Sequence, residues 1–160
     1  MSNSIKQLIN QFNLHTRLFN NVTVAIKDGD AAKPMNENTN HIAWLTGHTV
    51  STRFTLAGAL GLKESEPFAE LFQNGKGIDK TANYPAMNEL TKDWNGLSTK
   101  IASALNLLNE ETLNVKMPRP VPTGDTLSDF ISFLMHHEAY TLGQLGIYRR
   151  YYGVDAMKYD

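Results

Sequence analysis

Apolar residues recur at intervals of three and four along the C-terminal part of the chain: Leu127, Phe130, Ile131, Leu134, Leu145, Tyr148 and Tyr152. That spacing follows the turn of an α-helix and places them on one face, which other elements must cover. His137 and Thr141 stand on the same stripe, four residues apart, where apolar side chains would otherwise continue. Two polar groups in an apolar row predict a polar site inside a helical core. Burying an imidazole without partners costs on the order of 1–3 kcal/mol, so something inside must meet it, and a metal ion is one such partner.

Other segments repeat the pattern. Behind Ser4 as a cap, Ile5, Leu8, Ile9, Phe12, His15, Phe19, Val22 and Ile26 keep to one face until Asp28-Gly29-Asp30 breaks it, predicting a first helix over roughly residues 4–27. Asn38 to Asn40 offer caps for a second helix carrying Ile42, Leu45, His48, Thr52, Leu56 and Leu60 and ending near Gly61. Glu64 to Phe72 suits a short helix, and Asn74-Gly75-Lys76-Gly77-Ile78-Asp79 is a loop. Pro85 fits the first turn of a third helix, whose seam is Leu90, Trp94, Leu97, Ile101, Leu105 and Leu108. Pro118, Pro120 and Pro122 argue against helix through Glu110 to Asp125 and predict an extended covering loop. Thr126 with Asp129 has the spacing of a capping box, with Asp125 as an alternative cap, for a fourth helix from about Leu127 to Tyr152, stopped by Gly153. No strand alternation or internal repeat competes, so the expected fold class is all-α, a four-helix bundle in a single domain over residues 1–160.

Composition narrows the chemistry. Fifteen basic against sixteen acidic residues give a net charge of -1, and no basic run or basic-aromatic stripe interrupts the balance, so nucleic acid is not an expected partner. Met1 to Ile26 lacks the apolar segment and small-residue cleavage site of a signal peptide, and no later run approaches membrane-spanning length; a cytoplasmic protein without a membrane partner is the expectation. Cysteine is absent, which excludes disulfides, thiolate zinc sites and a cysteine nucleophile. Any metal must therefore use imidazole and oxygen ligands.

Ligand atoms about 2.0–2.2 Å from a metal stand roughly 3–3.5 Å from one another, which favours residues one helical turn apart or on facing helices. His137 with position 141 meets that requirement, and His48 on the second helix can face them. His41 is two turns from His48, about 10.5 Å along the axis, and cannot share its ion. Gly47, beside His48, lets a neighbouring element come close. The remaining polar candidates read as structural: His15 as a hydrogen-bonded core histidine, His41 and His136 as rim residues, and Arg149-Arg150 as solvated charges near a helix end. Gly143-Gln144 suits close helix packing and a buried amide contact.

The segments Ile42-Ala43-Trp44-Leu45-Thr46-Gly47-His48 and His137-Glu138-Ala139-Tyr140-Thr141-Leu142-Gly143-Gln144-Leu145, with Arg149-Arg150, resemble the DinB/YfiT-like family over nearly the whole chain. The resemblance implies a four-helix bundle, commonly a homodimer, with a divalent metal such as zinc or nickel held by three histidines. Its metal positions fall on His48, His137 and Thr141. The third is a departure, because a threonine hydroxyl is a poor ligand for zinc or nickel beside a neutral imidazole. The family includes thiol transferases that use low-molecular-weight thiols and members proposed to be hydrolases. One expectation is therefore a metal-dependent enzyme with a thiol or other small-molecule substrate, in which the ion generates a nucleophile and Glu138 is the nearest carboxylate for proton transfer. The other is a non-catalytic dimeric binding or structural protein whose metal site has lapsed at Thr141.

Overall fold

The computed structural model describes residues 2–160. The fold is mostly helical. In chain order come α1 (Asn3–Thr23), α2 (Asp28–Ala31), α3 (Ile42–Ala59), α4 (Ala69–Phe72), α5 (Met87–Leu105), α6 (Glu110–Leu113), β1 (Lys116–Val121), β2 (Gly124–Thr126) and α7 (Leu127–Tyr151). The four long helices pack side by side, α1 and α3 each lying against both α5 and α7.

The helix starts show how local chemistry sets the boundaries. The Ser2 hydroxyl, rather than Ser4, caps α1 by accepting the Ile5 N–H, while Ser4 in the first turn donates to Glu110. His41 replaces the expected asparagines as the cap of α3: its Nδ1 accepts the Trp44 N–H at 3.0 Å. The predicted box at α7 is present, with Thr126 Oγ1 accepting from the Asp129 N–H and Asp129 Oδ2 accepting from the Thr126 N–H. α1 stops at Thr23 instead of continuing to residue 27, because Ala25 takes a left-handed φ of 65° that turns the chain toward α2.

The proline-rich joint departs from the expected loop. α6 forms ahead of the prolines, and β1, which contains Pro118 and Pro120, pairs antiparallel with β2 through Lys116↔Thr126 and Val121↔Gly124. In a two-stranded ribbon every strand is an edge, so a residue without an N–H can leave its unused side to solvent. Gly124 (φ 146°) is required at the turn, since a Cβ there would lie 2.3 Å from the Asp129 carboxylate that caps α7.

Two apolar clusters fill the interior. One includes Phe19, Val22, Ile42, Leu45, Leu90, Trp94 and Leu145, the other Ile9, Phe12, Leu56, Leu97, Ile101, Ile131 and Met135, and Phe54 packs on both. The buried faces are rotated by about one residue from the predicted stripes. On α3 the most deeply buried row is Ile42, Thr46, Thr49, Arg53 and Leu56, and on α7 it runs through Ile131, Met135, Glu138, Leu142 and Leu145. His48 and His137 therefore lie at the flanks of their buried faces, each half-buried, while Glu138 occupies the centre.

Candidate functional site

Facing flanks of α3 and α7 bring His48 and His137 together. Their Nε2 atoms are 3.2 Å apart and the rings meet edge to face. One turn before His48, Trp44 stacks on its imidazole, with centroids 4.8 Å apart and planes 11° from parallel. Removal from water pushes the His48 pKa down to about 4, the neighbouring His137 adding to the shift. Burial also lowers His137, against an opposing pull from the Glu138 charge. At neutral pH both rings are uncharged, one Nε2–H donating to the other Nε2. The two Nδ1 atoms and the Trp44 indole nitrogen are sealed from solvent and have no hydrogen-bond partner among the described residues.

The separation suits one part of a metal-ligand set. With metal–nitrogen distances of about 2.0–2.1 Å, neighbouring tetrahedral donors stand roughly 3.3 Å apart. The rest of the set does not fit. Thr141, one turn beyond His137 and buried, spends its hydroxyl proton on the His137 carbonyl at 3.1 Å. Among the described residues no group of three His, Asp or Glu side chains is placed to hold an ion. Metal-bound imidazoles ordinarily donate their second nitrogen to a carboxylate or carbonyl, a support both Nδ1 atoms lack here.

Glu138 is no substitute ligand, because it belongs to a different arrangement that the sequence reading missed. Arg53, fully buried, makes a fork onto it: Nε donates to Oε1 at 2.6 Å and Nη2 to Oε2 at 3.1 Å. Nη1 donates to Thr16 Oγ1 and Ser98 Oγ, and the guanidinium lies between the Phe12 and Trp94 rings, 4.0 and 3.6 Å from their centroids. His15 Nδ1–H donates to Glu138 Oε2 at 3.1 Å, as expected of a hydrogen-bonded core histidine. Burial draws the Glu138 carboxyl upward, but the Arg53 charge and the hydrogen bonds from His15 and Arg53 outweigh it and hold the group ionised, below its ordinary range. With α1, α3, α5 and α7 all contributing, this hub fixes the long helices relative to one another. Its one sequence signal was Arg53 falling in the row Thr46, Thr49, Arg53, Leu56 at helical spacing.

Other expectations fare unevenly. His41 is buried at the start of α3, and its ring meets Tyr84 edge-on beside a cavity of about 600 Å³ that includes neither His48 nor His137. Arg149 is buried instead of solvated: Nη1 donates to the carbonyls of Asn21, Val22 and Val24, closing the end of α1, and Nε donates to the Asp155 carbonyl. Arg150 and His136 are exposed. Gly47 does permit a close approach, by the Phe72 ring of α4, which a Cβ would meet at 2.1 Å. Gly143 does not pack closely within the chain, since an added Cβ would have open space around it.

A family description, the DinB superfamily, matches residues 11–145. The chain belongs to the DinB superfamily. Solved structures similar to this DinB chain include a DinB-like protein from Bacillus cereus (TM-score 0.73, 14% identity, 96% of this chain and 95% of that one). A DinB-like protein from Bacillus subtilis is also similar (TM-score 0.69, 20% identity, 95% and 96%). So is a conserved protein from Enterococcus faecalis (TM-score 0.69, 13% identity, 94% and 96%). Identities this low establish a shared fold and carry no activity across. None of the curated proteins matches the chain. Among the described residues, no helix is long and apolar enough to cross a membrane.

Proposed function

We propose that this DinB-superfamily protein is a non-catalytic, dimeric four-helix-bundle module that binds a small molecule, with His48 and His137 the remnant of a three-ligand metal site. The observation that carries this reading is Thr141: it occupies the place of a third ligand, and its hydroxyl proton is committed to the His137 carbonyl. The unsupported Nδ1 atoms and the engagement of Glu138 with Arg53 and His15 support it. Dimer formation is supported by an uncovered stripe on α7, where Tyr140, Ile147 and Tyr151 are 66%, 64% and 59% exposed on one face.

A second reading, a zinc- or nickel-dependent thiol transferase or hydrolase, has one specific observation in its favour, the 3.2 Å approach of the two imidazoles. There His48 and His137 would hold the ion and Thr141 would meet it through water. The ion would acidify a bound thiol or water.

Metal analysis of untagged protein separates the two. The lapsed-site reading expects no stoichiometric zinc or nickel after supplementation and a melting temperature unchanged by chelator. Thr141→His should then take up close to one equivalent. Near-stoichiometric metal in the parent protein that disappears in His48→Ala overturns the proposal in favour of the enzyme.

A further inference from the structure

Beside His48, α3 and the segment around the end of α4 border an open cleft of about 380 Å³. His48, Ser51, Thr52 and Thr55 reach it from successive turns of one α3 face, and Phe72, Gln73, Asn74 and Gly75 form the opposite wall. Among the described residues, no Lys, Arg, Asp or Glu lines it. Ser51, 5% exposed, borders the cleft. Thr52 and Thr55 donate to the His48 and Ser51 carbonyls, which leaves their oxygens as acceptors. Gln73 directs its amide nitrogen to Glu66, leaving its carbonyl oxygen free.

We infer that this cleft is a binding site for a small uncharged ligand rich in hydroxyl or amide groups. The inference rests on the proposed binding function and names its ligand class. An ionic ligand entering here loses hydration and finds no opposite charge among the lining side chains, Glu66 being set behind Gln73, a cost that hydrogen bonds from neutral groups do not recover. A polyol or amide exchanges water for the Ser51 hydroxyl, the threonine oxygens, the Gln73 carbonyl and the Asn74 amide at little desolvation cost, while Phe72 supplies an apolar wall for its carbon skeleton. The volume lies within the range of small-molecule sites.

Three five-carbon probes test this on the full chain: xylitol, glutarate and cadaverine, neutral, anionic and cationic, each titrated while the His48 ring resonances are followed by NMR. Xylitol should shift them saturably, and Ser51→Ala should weaken its binding by about threefold to tenfold. Thr55→Val, at the more open end of the cleft, should weaken it in the same direction. Saturation by glutarate or cadaverine at lower concentration than xylitol, saturation by none of the three, or an unchanged xylitol affinity in both variants overturns the assignment. Metal content measured on the same samples keeps the two readings apart. Metal-free protein that prefers glutarate defeats the ligand class alone, whereas stoichiometric metal defeats the lapsed-site reading.

Discussion

Arg53 and Glu138 are sealed from water together, so removing either leaves the other as a buried, unneutralised charge. Arg53→Met or Glu138→Leu alone should cost about 3–5 kcal/mol in urea unfolding, and the double variant should recover a large part of that loss because neither charge remains. A double variant that costs the sum of the singles would show that the two groups do not act as a pair. His48 gives a pH dependence of defined sign. Its folded pKa of about 4 lies below the ordinary 6.5, so between those values the unfolded chain binds more protons than the folded one. Its contribution is present above pH 6.5 and is lost as pH falls toward 4. His41 and His137 are lowered in the same direction, and the depressed Glu138 extends the loss to more acidic pH. His48→Gln should flatten the decline in melting temperature between pH 6.5 and 4, and an unchanged slope would remove His48 as a source of acid sensitivity.

At the scale of the element, α3 is buried on nearly every side, which lets one helix carry the His48 flank, the Ser51 cleft face and the Arg53 row at once. Gly47 sets how closely α4 can seat against it. Gly47→Ala should cost about 1–3 kcal/mol, because the added methyl overlaps a ring that is itself buried, and it should loosen α4 to limited proteolysis. Gly96 on the exposed side of α5 is the matched control: an added Cβ meets nothing within 4 Å, so Gly96→Ala should stabilise by about 0.5–1 kcal/mol. On α7 the rotation of the buried face has a functional result. Glu138 at its centre ties the helix to α1 and α3, which holds His137 at the edge where it meets His48.

For the whole molecule, the uncovered α7 stripe is the surface that a second copy should cover. Tyr140, Ile147 and Tyr151 lie seven and four residues apart, and the open positions at Gly143 and Gly146 allow another backbone to come near. Light scattering should give twice the chain mass for the parent and the single-chain mass for Ile147→Lys, with helicity retained. A parent protein that is monomeric throughout the accessible concentration range would exclude this pairing.

The positions of the long helices and the box that opens α7 were readable along the chain, because periodicity, capping and turn chemistry act between residues a few places apart, whereas His48 and His137 stood out as a candidate site through the family resemblance. The hairpin was hidden by its prolines, which argue equally for any extended edge. The burial of His41 and Arg149 was hidden because their partners lie in other segments. Arg53 and Glu138 are 85 residues apart and His15 and Glu138 are 123 apart, distances at which the sequence carries no local signal of contact. A charged side chain on a helix reads as solvated until its partner is in place, so it took the packing of the four long helices to turn these residues into an internal hub and to set the two histidines at its margin.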